Sequence, residues 1–236
     1  MILLVDADSL IFASCYDSYK DGEPQYFTDI KDSVAKYEQQ FFDIVNTLEE
    51  SYDIKQVITF NGSRGNFRKI LNRKYKLNRK KRELPPLLHE MHKYVKDNFD
   101  SVSGYGVETD DMVARFWKRL TDEIGRENVM IVSLDKDYKQ FPCLLYNYHY
   151  KHKTVYDISE QTAMYNFYEQ MIIGDKADNV NFFYGKGRVF AKQYLDGCES
   201  KYQYTKRMYQ LFKETYKSKA RERYIECYNL LKLRTI

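Results

Sequence analysis

The chain has 236 residues, with 38 Lys and Arg against 34 Asp and Glu and a formal net charge of +4. That length suits one α/β domain with an appendage, and a hydrophobic fraction of 43% is enough to bury a core, which excludes a disordered chain. Four separated cysteines without a CxxC exclude a disulfide framework, and no apolar run approaches the ~20 residues of a membrane span, so a reducing, cytoplasmic location is expected.

ILLVDAD (2–8) is an apolar run closing in acids. It predicts a buried strand with Asp6 and Asp8 at its carboxyl end. A helix is expected from Ser9, with Asp8 as its N-cap. Ile30, Val34, Tyr37, Phe41, Ile44, Val45 and Leu48 recur at helical spacing and predict a helix over 29–52. KQVITF (55–60) predicts a second buried strand. Residues 64–82 then hold ten Lys or Arg and no acid, and Pro85-Pro86 ends that stretch. Amphipathic helices are expected over 87–99 and 112–124. VMIVSLDKD (129–137) repeats the pattern of the first strand. CLLYNYHY and KTVYDI predict a hairpin over 143–158. A helix over 161–175 ends near Gly174, the loop NFFYGKGR follows, and helices are expected at about 188–196, 201–216 and 218–233. Strands alternating with helices imply an α/β fold, a mostly parallel sheet flanked by helices, with an all-helical tail.

In such a sheet, ligands sit at the carboxyl ends of the strands. Asp6 and Asp135 occupy such ends, and Asp137 is expected on the same rim. Glu108, Asp110 and Asp111 open the helix that leads into the Asp135 strand, and Asp175 and Asp178 flank a helix terminus. Singly, each acid reads as a helix-start residue. Jointly, a bare cluster would raise several pKa values and cost stability. Mg²⁺ favours oxygen ligands, and two ions about 4 Å apart can clamp the attacking and leaving oxygens of a phosphodiester. The unbalanced basic run 64–82 points to phosphate contact, with Phe67 and Tyr75 as candidates to stack on an unpaired terminal base. His89/His92 and His149/His152 lack the companion ligands of a structural zinc site and are expected at the surface or gateway.

Five ordered motifs resemble the 5′-nuclease superfamily of flap endonucleases, polymerase 5′-nuclease domains and phage 5′–3′ exonucleases, the last most closely. LLVDADSLIF resembles LLVDGxxLxF, and FRKILNRKYKLNRK resembles FRxxxxPxYKxNR. GVETDD is similar to GxEADD, IVSLDKDYKQF to IxSxDKDxxQL, and MIIGDKADNVNFFYGKGRVFA to GDxxDNIPGVxGIGxKTA. The resemblance implies a PIN-like catalytic core over 1–160 with a basic helical gateway over 64–100, and a duplex-binding helix–three-turn–helix region over 161–236. It implies Asp6, Glu108 and Asp110 at a first metal site and Asp135, Asp137 and Asp178 at a second, with Asp111 and Asp175 as outer or shared ligands. Lys76 and Arg79 fall on the YKxNR positions that steer the scissile phosphate. Arg68, Tyr75, Lys80, Gly185, Lys186, Gly187 and Arg188 join them as expected nucleic-acid contacts.

The same resemblance implies two Mg²⁺ ions with Mn²⁺ as a substitute, and a K⁺ ion at the 185–187 hairpin. The implied activity is a structure-selective 5′ nuclease of replication or DNA degradation, acting as a monomer. Its implied substrate is DNA with a 5′ end, flap or nick, with RNA in RNA–DNA hybrids as a further one. Two departures stand out. The family's FD after the second strand is Phe60-Asn61, which removes a first-site charge; either a neighbour such as Asp8 compensates or turnover is slow. NFFY replaces the family's Pro- and Gly-containing loop. Two alternatives follow from the residues: a PIN-type ribonuclease, and a DNA-binding factor with impaired catalysis.

Overall fold

The computed structural model describes every residue except Gly22, Ser63, Arg64, Arg82 and Ile236, and for Lys80 and Lys81 the backbone alone. Strand β1 (Ile2–Asp6) lies at the centre of a six-stranded sheet. With β2 (Tyr16–Lys20) and β3 (Glu23–Tyr26) forming a separate hairpin, the order is β5 (Ser101–Val102), β4 (Gln56–Phe60), β1, β6 (Val129–Val132), β7 (Leu144–Asn147), β8 (Thr154–Asp157). All neighbours are parallel except β7 and β8, the expected hairpin. Leu3, Leu4 and Val5 are buried on both faces of the sheet, which is why β1 reads as an unbroken apolar run. Leu4 pairs with Ile58 on one side and Ile131 on the other.

One sheet face is covered by α1 (Asp8–Ser14), α2 (Ile30–Glu49) and α4 (Leu88–Asn98), through Leu10, Ile11, Tyr37, Phe41, Ile44, Met91 and Val95. Asp29 caps α2 by accepting from the Lys31 amide. The other face is covered by α5 (Thr109–Ile124), through Val113, Ala114 and Trp117. A further apolar cluster joins α6 (Glu160–Ile173), α7 (Arg188–Leu195), α8 (Lys201–Tyr216) and α9 (Ala220–Leu231). The four cysteines are buried and free. Among the described residues, no helix is long and apolar enough to cross a membrane.

Two local expectations change. The helix after β1 stops at Ser14, and the β2–β3 hairpin follows. Its aromatic residues Tyr16, Tyr19 and Tyr26 flank an Asp-Gly pair in the sequence, a turn signal that favours a hairpin over a longer helix. The basic run is not one helix. It forms the short α3 (Phe67–Leu71), a left-handed residue at Lys76 (φ 53°) and a 3-10 turn over Leu77–Lys81.

Candidate active site

The chain runs from β1 outward through β4 and β5, then crosses to β6 on the other side of β1. This reversal opens a crevice at the carboxyl ends of the central strands. A cleft of about 240 Å³ lies there, and Asp6, Asp8, Glu108, Asp110, Asp135, Asp137, Asp175 and Asp178 all line it. Lys76, Arg79 and Lys136 line it too. Acids from four separated segments therefore meet in one place.

Each acid is placed by its own segment and braced by its neighbours. Asp6 ends β1 and accepts from the Tyr138 hydroxyl at 2.9 Å and from Ser133 Oγ at 3.3 Å. Asp135 follows β6, and its Oδ1 accepts the Asp137 amide at 2.8 Å, starting a 3-10 turn over Lys136–Gln140. Gln170 of α6 donates to Asp137 at 2.8 Å. Glu108 is the N-cap residue of α5 and places Asp110 and Asp111 in its first turn. Beyond α6, Gly174 adopts φ 73°, where an added Cβ would meet the Val180 carbonyl at 2.2 Å. That turn folds 175–180 back so that Asp175 accepts the Ala177 amide and pairs with Lys136 Nζ at 2.8 Å. Tyr138, Ser133, Gln170 and Lys136 join the site only through the fold. For Lys136, its place between the two acids of LDKD was the available signal.

The gateway meets this rim directly. The Lys76 amide donates to the Asp178 carbonyl at 2.9 Å, which holds the residue left-handed. Its ammonium donates to Glu108 and stands 3.7 Å from Asp178. Arg79 donates to Asp178 Oδ1 at 2.8 Å and to the Ala177 carbonyl at 3.1 Å. Tyr75 is 3% exposed, with its hydroxyl 2.6 Å from Asp178 Oδ2 and 2.9 Å from Glu108 Oε2. It has no free face for the expected base stacking. The guanidiniums of Arg234 and Arg68 stand over the Phe67 ring at 3.5 and 4.7 Å.

Arg68 also departs from expectation. It is 1% exposed, and its fork reaches Asp111 at 2.7 and 2.8 Å and Glu108 at 2.9 Å. A buried cation paired to acids offers nothing to a phosphate backbone. Asp111 is fully buried and also accepts the amides of Glu108 and Arg234, so protein donors fill its lone pairs. It stands behind the rim. The Lys80 side chain lies outside the described residues.

Burial first, then the neighbouring Asp8 and Asp135, pushes Asp6 up to about 7. Burial, with Asp135 and Asp175 beside it, does the same to Asp137. Burial and then Glu108 and Asp111 raise Asp110 well above its ordinary range, and burial raises Asp135. Burial alone would raise Asp175, but Lys136 and the Ala177 and Asp178 amides hold it low. These oxygen-only donors suit a hard divalent cation. Among the described residues, no three His, Cys, Asp or Glu side chains close on one point tightly enough to hold an ion as they stand. Ligation requires the carboxylates to re-aim away from Lys76 and Lys136.

A pH dependence follows. Asp6 and Asp137 have folded values near 7, above the ordinary 3.8, so the folded chain binds extra protons between those values. Their contribution to stability is present at low pH and lost as pH rises through about 7. In EDTA, the melting temperature is expected to fall between about pH 5 and pH 8, and less so in Asp137→Asn. Mg²⁺ should narrow the gap. A wild-type melting temperature that rises with pH in EDTA contradicts this.

At the β4 edge, Asn61 is buried and donates to Ser101 Oγ at 2.9 Å. Asp8 does not cap α1, whose N-cap residue is Ala7. Its carboxylate instead accepts the Gly62 amide at 3.0 Å and the Thr109 hydroxyl at 2.7 Å, with His92 Nδ1 3.9 Å away. Asp8 thus stands on the cleft beside the position where Asn61 withholds a charge. Asn61→Asp should lower the Mg²⁺ concentration for half-maximal cleavage about threefold or more. An unchanged or higher requirement rejects that reading.

Residues 1–170 match the family model described as the 5′-3′ exonuclease, N-terminal resolvase-like domain. The chain belongs to this 5′–3′ exonuclease family. A comparison with curated protein sequences gave no match. Among solved structures, the chain is similar to the bacteriophage T5 flap endonuclease in a pseudo-enzyme–product complex with DNA and metal ions. That match has 17% identity and a TM-score of 0.65, over 99% of this chain and 89% of that one. It is also similar to T5 5′-exonuclease with bound zinc, at 17% identity and a TM-score of 0.63, over 97% and 88% of the two chains. The catalytic core of Rad2 with DNA substrate matches at 15% identity and a TM-score of 0.52, over 97% and 73%. Identities this low show a shared fold.

Membership of the exonuclease family places the chain among the 5′ nucleases. Outside the cleft, the expected hairpin lies between α6 and α7. Gly185 has φ 76°, and Gly187 is the N-cap residue of α7, whose first residue is the exposed Arg188. A Cβ at either glycine would meet nothing within 4 Å, so the backbone there is open to a close approach. Lys186 Nζ sits 3.8 Å over the Phe190 ring. His89 and His92 line a separate groove beside Asn61, and His149 and His152 sit at the β7–β8 turn.

Proposed function

We propose that the acidic cleft is the active site of a divalent-metal-dependent 5′ nuclease, a 5′–3′ exonuclease or flap endonuclease of DNA. The observation that carries this is the meeting of acids from β1, α5, β6 and the 175–178 turn with two gateway cations, Lys76 and Arg79, in one cleft. Asp6, Glu108 and Asp110, with Asp8 beside them, would hold one Mg²⁺. Asp135, Asp137 and Asp178, supported by Asp175, would hold a second, with Mn²⁺ as a substitute. Bound divalent cations supply the charge that offsets the acids and polarise the phosphodiester for attack by water.

The chain's own groups do the rest. Lys76 and Arg79 meet the non-bridging oxygens of the scissile phosphate and offset charge as the bond to the 3′ oxygen breaks. The left-handed turn at Lys76 fixes where its ammonium stands. Tyr75 and Arg68 hold Glu108 in place from behind. The open backbone at Gly185–Gly187, with Lys186 and Arg188, is suited to grip duplex phosphates and a K⁺ ion. In this reading residues 1–160 carry the chemistry, and 161–236 hold the duplex.

A time course on 5′-labelled flapped, nicked and blunt duplexes with Mg²⁺ tests this. An RNA–DNA hybrid and single-stranded RNA complete the set. Release of short 5′ fragments from duplex DNA supports the proposal. Cutting confined to single-stranded RNA, or tight binding to DNA without cutting, overturns it.

A further inference from the structure

Arg68 has five N–H donors, and each has a partner. Two of the bonds go to Asp111 and one to Glu108. The other two go to the carbonyls of Leu230 at 3.0 Å and Lys232 at 2.9 Å. The last carbonyls of a helix lack partners within it. Arg68 therefore closes the end of α9 and orients the N-cap acid of α5 at once. The chain after α9 completes the joint. The Arg234 amide donates to Asp111 Oδ1 at 2.9 Å, and its guanidinium lies 3.5 Å over Phe67. Gln140 accepts the Leu233 amide at 3.1 Å and donates to the Leu231 carbonyl at 3.2 Å. Gln140 belongs to the 3-10 turn that carries Asp137.

We propose that residues 230–234 form a latch, closed by Arg68, that positions the acids of the cleft. Its two arms end on Asp111 and on Gln140, one behind each half of the acid set. Arg68 and Asp111 are positioning residues here, acting through Glu108. A lysine at 68 has three donors on one nitrogen and cannot span five acceptors spread over two elements.

This rests on the nuclease reading for what the acids do, but the test includes a readout that does not need cleavage. Arg234→Pro removes the amide donor to Asp111, whereas Arg234→Ala keeps it and loses only the contact with Phe67. Mn²⁺ affinity by calorimetry, duplex affinity in EDTA, and kcat are measured on the full chain. The proposal expects Arg234→Pro to weaken Mn²⁺ binding at least fivefold and lower kcat about tenfold, with duplex affinity within twofold. Arg234→Ala should match wild type in all three. Arg68→Lys should resemble Arg234→Pro. Equal behaviour of the Pro and Ala variants, or wild-type Mn²⁺ affinity in Arg234→Pro, overturns the latch. Absence of cleavage by wild type would remove the nuclease reading and leave the Mn²⁺ comparison standing as the test.

Discussion

Lys76→Met is expected to lower kcat by about 10²–10³ while changing duplex affinity less than about threefold. Methionine keeps most of the side chain's reach and, like lysine, tolerates the left-handed backbone equally poorly, so the change isolates the charge. That charge is half-buried between Glu108 and Asp178, where burial lowers an ammonium's pKa and the two acids more than restore it. A cation so placed stays protonated throughout the neutral range. In the proposed mechanism its value would lie in what happens when a phosphate arrives: Glu108 and Asp178 would then have other partners, leaving the ammonium free to turn to the substrate. Single-turnover cleavage beside a binding titration in EDTA separates the two effects. A kcat within threefold of wild type would show that Lys76 only neutralises its neighbours.

Asp135→Asn should cost more, about 10³ or beyond in kcat, equivalent to roughly 4 kcal/mol in the barrier. The amide keeps an oxygen that can accept from the Asp137 amide, so the 3-10 turn is preserved. What is lost is a negative charge at the centre of the proposed second metal site. The same loss relieves repulsion with the other acids. In EDTA the variant should therefore melt no lower than wild type at about pH 8, and it should gain less from added Mg²⁺. Activity falling while metal-free stability holds or rises is the pattern of an acid kept for function. A parallel fall in both would make Asp135 a structural residue.

Much of the fold was written in local patterns. The apolar runs ending in VDAD and LDKD are β1 and β6, and their acids reach one cleft as period and topology require. The β7–β8 hairpin and the four late helices also follow from spacing and caps. The errors share a cause. Arg68 and Tyr75 lie in a run of bases, and a run of one sign reads as a surface for phosphate. Nothing local shows that Arg68 faces acids 40 and 43 positions on and carbonyls 162 and 164 positions on. Tertiary contact turned a presumed DNA contact into a buried brace. Asp8 went the other way. A helix-start acid looked like a cap, yet its carboxylate crosses to Gly62 and Thr109 and faces the cleft. The loss of charge at Asn61 was legible, whereas the amide's turn toward Ser101 needed the neighbouring strand.

Cleavage of a 5′-flapped duplex with and without divalent cation is the most direct test of whether these acids serve phosphodiester hydrolysis. With Mg²⁺ or Mn²⁺, short products bearing the labelled 5′ end should appear, and EDTA should abolish them. Cleavage undiminished by EDTA, or none at any Mg²⁺ or Mn²⁺ concentration, would contradict it.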